Sequence, residues 1–369
     1  MFDYWYNYWW AGATIVAIVS FFSTNLMIWI AKKYNILDNP NFAPERKLQK
    51  EPIPLLGGTG FVLVAMFFTG TLWLIKKFDI FNSWQFLETG LYVDFHLFWI
   101  FLAMATMLFL GFLDDKYRLS FSKLALPSIV AMCIAVFLGG LKIEAFSYPF
   151  DNIVLSNYWV SSGLALIWLG FCTASTKFLD GHDGLVASVS FIAFANIATI
   201  SLFSNVNQPL IFLISIIWAA SCLGFLPKNL PNAQVYLGEG ASQVLGFMIG
   251  VLSIISGAKV ATSFSIMGWF ILDVLLVFIY RMVLGQHPFK GDRKHWHFRL
   301  SDIGFSKWEF LGINWSILAI SAMAAILLDT GLKAVFLIGV LIFLVLLFLL
   351  TEMYRWRQNQ QKTIKDETN

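Results

Sequence analysis

Six acidic residues stand where acidic residues are costly, at the ends of strongly apolar stretches: Asp114, Asp115, Asp180, Asp183, Glu239 and Asp292. A carboxylate beside lipid is expensive, and one that is kept there points to function. In GFLDDKYRLS the adjacent Asp114 and Asp115 repel each other unless a cation or a proton relieves them, as in Mg²⁺ coordination or proton transfer. KFLDGHDGL adds Asp180 and Asp183 on a turn whose flanking Gly181 and Gly184 allow close backbone approach. NLPNAQVYLGEGASQVLGF sets Gly238, Glu239, Gly240 and Ser242 at a helix start, which can offer N–H groups to a phosphate or a carboxylate to a metal. Any one of these segments alone also reads as a solvated or capped helix end. Six carboxylates beside glycines and lysines weaken that reading.

The complementary charge lies in HPFKGDRKHWHFRLSDIGFS, where Lys290, Arg293, Lys294, His295, His297 and Arg299 surround Asp292. A His-x-His pair could be half of a zinc site, but no neighbouring loop offers further soft ligands. Neutralising a pyrophosphate suits the patch better. The competing reading is contact with anionic lipid head groups. Carboxylates for Mg²⁺ and cations for phosphate at a lipid interface are what phosphoryl transfer to or from a lipid needs.

The elements that must position these residues are membrane helices. Of 369 residues 58% are hydrophobic and 13% charged, with mean hydropathy +0.72, against roughly 25% charged in an ordinary soluble domain. Apolar stretches able to cross about 30 Å of hydrocarbon recur throughout. We read eleven, over 11–31, 55–75, 97–113, 124–141, 159–176, 184–203, 210–226, 241–255, 264–280, 311–328 and 334–350. This is an all-α polytopic membrane protein, with a single membrane domain over 1–354 and a polar, frayed cytoplasmic tail over 355–369. The aromatic start MFDYWYNYWW has no basic region and no small-residue cleavage site, so the first stretch reads as a retained helix. Cys133, Cys172 and Cys222 lie inside apolar spans, where they pack rather than form disulfides or a zinc site. Alternate loops divide the 25 Lys and Arg as 20 against 5. The basic-inside tendency then puts the amino terminus outside, the carboxyl terminus in the cytoplasm and all six carboxylates on the cytoplasmic side.

The order of these segments resembles one family, the polyprenyl-phosphate N-acetylhexosamine-1-phosphate transferases of the glycosyltransferase 4 type. The similarity runs from Arg46 to about Ser306. RKLQKEPIPLLGG is similar to that family's first cytoplasmic loop, GFLDDKYRLS to its paired aspartates, KFLDGHDGL to its DGxDG loop, and FLPKNLPNAQVYLGEGAS to its Asn and Gly-Asp-x-Gly-Ser segment. The stretch from Asp273 to Arg281 and then HPFKGDRKHWHFRL resemble its ninth helix and histidine loop. The DR-x-H-x-H form resembles the undecaprenyl-phosphate N-acetylglucosamine-1-phosphate transferases more than the muramoyl-pentapeptide branch.

The resemblance implies transfer of a sugar-1-phosphate from a UDP-sugar to a polyprenyl phosphate, with Mg²⁺ (Mn²⁺ as an alternative) and release of UMP, at the inner membrane with the site facing the cytoplasm. By the same resemblance Asp114, Asp115, Asp180 and Asp183 are the catalytic group, and Glu239 with Asp115 the metal ligands. Lys177, Asn229, Lys290, Asp292, Arg293, His295 and His297 are expected to bind substrate, with Asp273 and Arg281 structural. UDP-sugar, polyprenyl phosphate and the bilayer are the expected partners, a homodimer is left open, and no nucleic acid is expected. The chain departs from the family at Glu239, where relatives carry aspartate, at Ala174 and Lys177, where many carry asparagines, and at Gln49, where a histidine is common. Two other readings stand beside this one: a cation-coupled transporter, disfavoured because transporters bind near the midplane, and a catalytically silent lipid-binding relative.

Overall fold

The computed structural model describes residues 8–40, 49, 51–78, 96–119, 121–147, 152–202, 208–256, 260–287 and 294–368. Uninterrupted apolar sequence with few helix breakers has one way to satisfy its backbone in hydrocarbon, and these stretches are helices. In chain order they are α1 (Trp9–Lys33), α2 (Gly57–Lys77), α3 (His96–Tyr117), α4 (Phe121–Cys133), α5 (Tyr158–Leu179), α6 (Leu185–Ser201) and α7 (Pro209–Asn229). They are followed by α8 (Glu239–Ile255), α9 (Val260–Val283), the short α10 (Trp296–Ile303), α11 (Lys307–Leu327) and α12 (Thr330–Thr368). A π-helical turn, Ile134–Leu138, extends α4 to Gly139. Two small antiparallel pairs complete the structure: β1 (Leu37–Asp38) with β2 (Ile53–Pro54), and β3 (Ala145–Ser147) with β4 (Asn152–Val154).

Each expected span is met by an apolar helix, but among the described residues eight are long and apolar enough to cross a membrane. The other three, Ala125–Leu138, Leu185–Ser201 and Glu239–Ile255, are shorter. At about 1.5 Å per residue, a helix of 17 residues reaches roughly 25 Å, less than the hydrocarbon thickness. Two of these short helices are shielded instead of exposed: α8 is buried from Gly240 to Ser253, and α6 at nearly every position. Long helices form the outside. Only 11% of the α12 span and 17% of the α1 span are buried, against 78% for α7. Leu341, Ile342, Leu346 and Leu350 on α12 are exposed, the arrangement of a multi-pass membrane protein facing lipid.

α8 is the hub, in contact with α2, α3, α5 and α6. Its approach to α3 depends on two glycines, since a Cβ on Gly111 would overlap the backbone of Gly240. Small residues at such crossings let membrane helices approach to backbone contact. That crossing brings the end of α3 against the start of α8, where Asp114, Asp115 and Glu239 lie. The tail over 355–369, expected to fray, continues as helix to Thr368.

Candidate active site

Five polar connections meet at one end of the bundle. The first is tied down by backbone: Leu55 N–H donates to Ile36 O (3.2 Å), Gly57 to Tyr236 O (3.1 Å), Gly58 to Leu237 O (2.9 Å), and Tyr236 N–H to Pro54 O (2.8 Å). This ribbon joins the β1–β2 pair to the loop between α7 and α8, and it sets Asp38, Gln49, Leu55 and Tyr236 around a cavity of about 290 Å³. Gln49 Nε2 donates to Asp38 Oδ2 at 2.6 Å. Asp114, Asp115, Asp180, Gly181, His182, Asp183, Asn229, Gly238, Glu239, Phe298 and Lys307 complete the wall.

Each carboxylate has its own fixing. Asp114 Oδ1 accepts from Leu119 N–H (2.7 Å), closing the turn after α3. Asp115 Oδ1 accepts from the Glu239 N–H (3.1 Å), so the helix start takes a protein carboxylate as its anion. Gly238 makes the approach feasible. Its φ is +83°, and a Cβ there would come within 2.6 Å of Asp115 Oδ2. Asp183 is buried, and its Oδ2 accepts from Lys307 Nζ (2.6 Å) and from the N–H groups of Asn232 (3.2 Å) and Ala233 (3.4 Å). Asn229 braces the same turn, accepting from Gly184 N–H (3.1 Å) and donating to Val235 O (2.9 Å).

Glu239 Oε1 receives two donors, Lys177 Nζ at 2.6 Å and Gln243 Nε2 at 2.7 Å. Asp180 lines the cavity and is exposed there. Desolvation first, and then the charge of Glu239, push its carboxyl up to about 8. Desolvation likewise raises the half-buried Tyr236 phenol. Excess negative charge of this kind suits a cation of hard character. The carboxylates offer oxygen ligands, as Mg²⁺ or Mn²⁺ prefers. Among the described residues no three His, Cys, Asp or Glu side chains converge to hold a metal by themselves. Asp115 and Glu239, linked through the Glu239 N–H, supply two carboxylates, the number Mg²⁺ commonly takes from protein when substrate phosphates supply the rest.

The structure therefore gathers Asp114, Asp115, Asp180, Asp183, Asn229 and Glu239 at one cavity, with Lys177 bonded to Glu239 beside them. His295 does not line this cavity. It is 3% exposed, with Nδ1 3.0 Å from Asp273 Oδ2, and stacks on Phe178 at 5.5 Å between centroids. Asp273 Oδ1 also accepts from Trp296 N–H (3.0 Å). Asp273, expected to be structural, is so by holding the histidine loop. Lys290, Asp292 and Arg293 lie outside the described residues, as does the side chain of His297 on α10. Asp38, Tyr236, His182, Phe298 and Lys307 escaped the reading of the sequence. Only Lys307 had a visible signal, a cation opening a helix on the basic side.

A model of glycosyl transferase family 4 matches residues 97–257, which carry α3 through α8 and hence most of this cavity. The chain is 29% identical over 87% of its length to a probable undecaprenyl-phosphate N-acetylglucosaminyl 1-phosphate transferase of Bacillus subtilis, covering 84% of that protein. It is 28% identical over 80% of its length to an undecaprenyl-phosphate alpha-N-acetylglucosaminyl 1-phosphate transferase of Thermotoga maritima, covering 82% of it. A phospho-N-acetylmuramoyl-pentapeptide-transferase of Listeria monocytogenes is 30% identical over 62% of this chain and 73% of its own. The chain belongs to glycosyl transferase family 4. Within it, the similarity to the N-acetylglucosaminyl transferases extends over more of the chain than that to the muramoyl-pentapeptide branch.

Proposed function

We propose that this protein transfers an N-acetylhexosamine-1-phosphate from a UDP-sugar to a polyprenyl phosphate such as undecaprenyl phosphate, releasing UMP, to begin a cell-envelope glycan. The reaction takes place at the cytoplasmic face of the inner membrane, in a protein of eleven spans with its amino terminus outside. The observation that carries this reading is the convergence of Asp114, Asp115, Asp180, Asp183 and Glu239, from three separate connections, on one cavity at a single end of an apolar bundle. A transporter would place such charges near the midplane.

In the proposed reaction an oxygen of the lipid phosphate attacks the sugar-bearing phosphorus of the UDP-sugar, and the bond from that phosphorus to the oxygen of UMP breaks. A phosphate monoester has its second pKa at about 6 and is largely dianionic at neutral pH, so no strong base is required. Asp115 and Glu239 would hold Mg²⁺, or Mn²⁺, with Asp114 beside the lipid phosphate. Bound there, the metal would neutralise charge on the transferring and leaving phosphates. Asp180, Asp183 and Asn229 would shape the nucleotide side, with Lys307 and two backbone N–H groups fixing Asp183. Lys290, Asp292, Arg293, His295 and His297 would serve the pyrophosphate, His295 from a ring held by Asp273.

The Lys177–Glu239 pair favours a second reading, a silent relative whose metal position is closed by its own ammonium. Product analysis separates the two. Purified protein supplied with undecaprenyl phosphate, Mg²⁺ and a panel of UDP-N-acetylhexosamines should yield a lipid heavier by one N-acetylhexosamine-1-phosphate, identified by mass spectrometry. A lipid unchanged with every donor would favour the silent relative.

A further inference from the structure

The bonds to Glu239 are one-sided. Both donors, Lys177 Nζ and Gln243 Nε2, bind Oε1, and the Gln243 amide is itself fixed by Ser128 Oγ, which donates to Gln243 Oε1 at 2.6 Å. Lys177 and Glu239 are both half-buried, at 23% and 20% side-chain exposure, so bulk water screens the pair only in part. Lys177 also lies near enough to Asp114 to interact with it electrostatically. Four further carboxylates, Asp38, Asp115, Asp180 and Asp183, border the same cavity, and the Lys177 ammonium reaches Glu239 beside them from the last turn of α5 on a flexible four-carbon stem.

We propose that Lys177 is a built-in counter-cation that competes with a divalent cation for Glu239, closing the centre at rest and yielding when the cation arrives. The inference rests on the reading of this cavity as one that takes a hard divalent cation. Lysine suits such a part because it bonds as a mobile point charge. Arginine would present a planar fork able to engage both Glu239 oxygens and would not yield as readily.

The test is Mn²⁺ binding to the full chain in lipid nanodiscs without sugar donor or acceptor, followed by electron paramagnetic resonance of the free ion, together with thermal unfolding with and without Mn²⁺. Lys177→Gln should bind Mn²⁺ at least about tenfold more tightly than the native chain, because a positive charge in contact with the ligand has been removed. Its unfolding midpoint without metal should fall, and Mn²⁺ should restore it, since an ion that binds only the folded state stabilises it. Lys177→Arg should bind several-fold more weakly than the native chain. If Lys177→Gln does not fold, Lys177→Arg decides alone, and equal or tighter binding there overturns the proposal. Unchanged affinity in Lys177→Gln, a midpoint that Mn²⁺ does not restore, or no binding by any form would likewise overturn it. None of these readouts needs turnover, so failure of the transferase reading would register separately, as an unchanged lipid.

Discussion

At the residue scale, the carboxylates differ in what they should do when changed. Asp115→Asn keeps the shape but replaces a charge with an amide, and transfer should fall by about 10²-fold or more, with the unfolding midpoint little altered. Glu239→Asp loses the reach to Lys177 and Gln243 while keeping a carboxylate. Activity should be preserved or raised, and a loss as large as that of Asp115→Asn would contradict Glu239 as a metal ligand. Asp180 predicts a pH effect of definite sign. Its ordinary value is 3.8, and the folded state raises it to about 8. Between those values the folded chain holds a proton that the unfolded chain has lost, so stability falls as pH rises through the window and levels above it. Unfolding midpoints from pH 5 to 9 should show a decline that is reduced in Asp180→Asn, and a decline identical in both would contradict the assignment. Asp114, Asp115, Asp180, Asp183 and Glu239 were legible in the sequence because a carboxylate costs most where its neighbours are apolar. Asp38 and Tyr236 were not, because what brings them to the cavity is a backbone ribbon between segments about 180 residues apart, which no local pattern records.

At the element scale, the helices were legible and their reach was not. Apolar runs announce a helix, but whether Leu185–Ser201 and Glu239–Ile255 meet lipid depends on neighbours that cover them. The histidine loop shows the same limit. Its short helix α10 is fastened to α12 by Arg299, 1% exposed, which donates through Nη1 to Thr351 Oγ1 (2.9 Å), pairs with Glu352 (2.9 Å) and lies 3.6 Å from the Phe348 ring centroid. Arg299 Nε also donates to the Lys294 carbonyl. The sequence presented Arg299 as one more phosphate cation, whereas the fold uses it as an anchor. Glu352→Ala leaves a buried guanidinium with less compensation and should cost about 2 to 3 kcal/mol. Hydrogen exchange should quicken in α10 and its flanks while α5 and α8 stay protected. Uniform loosening of the bundle, or none, would contradict a local clamp.

At the scale of the whole molecule, the cavity should face the side where Lys and Arg gather, and the connections around Lys142 the other. Single cysteines at Lys307 and Lys142, in a background without the three native cysteines, should be labelled by an impermeant maleimide from the cytoplasmic and outer sides respectively. The reverse pattern would invert the orientation. The central claim is the reaction itself, and Mg²⁺-dependent release of UMP tests it most directly, using purified protein, undecaprenyl phosphate and a panel of UDP-N-acetylhexosamines beside Asp115→Asn. Release should require lipid and metal together and disappear in the variant. Release that persists in Asp115→Asn, or that needs no lipid, would contradict the claim.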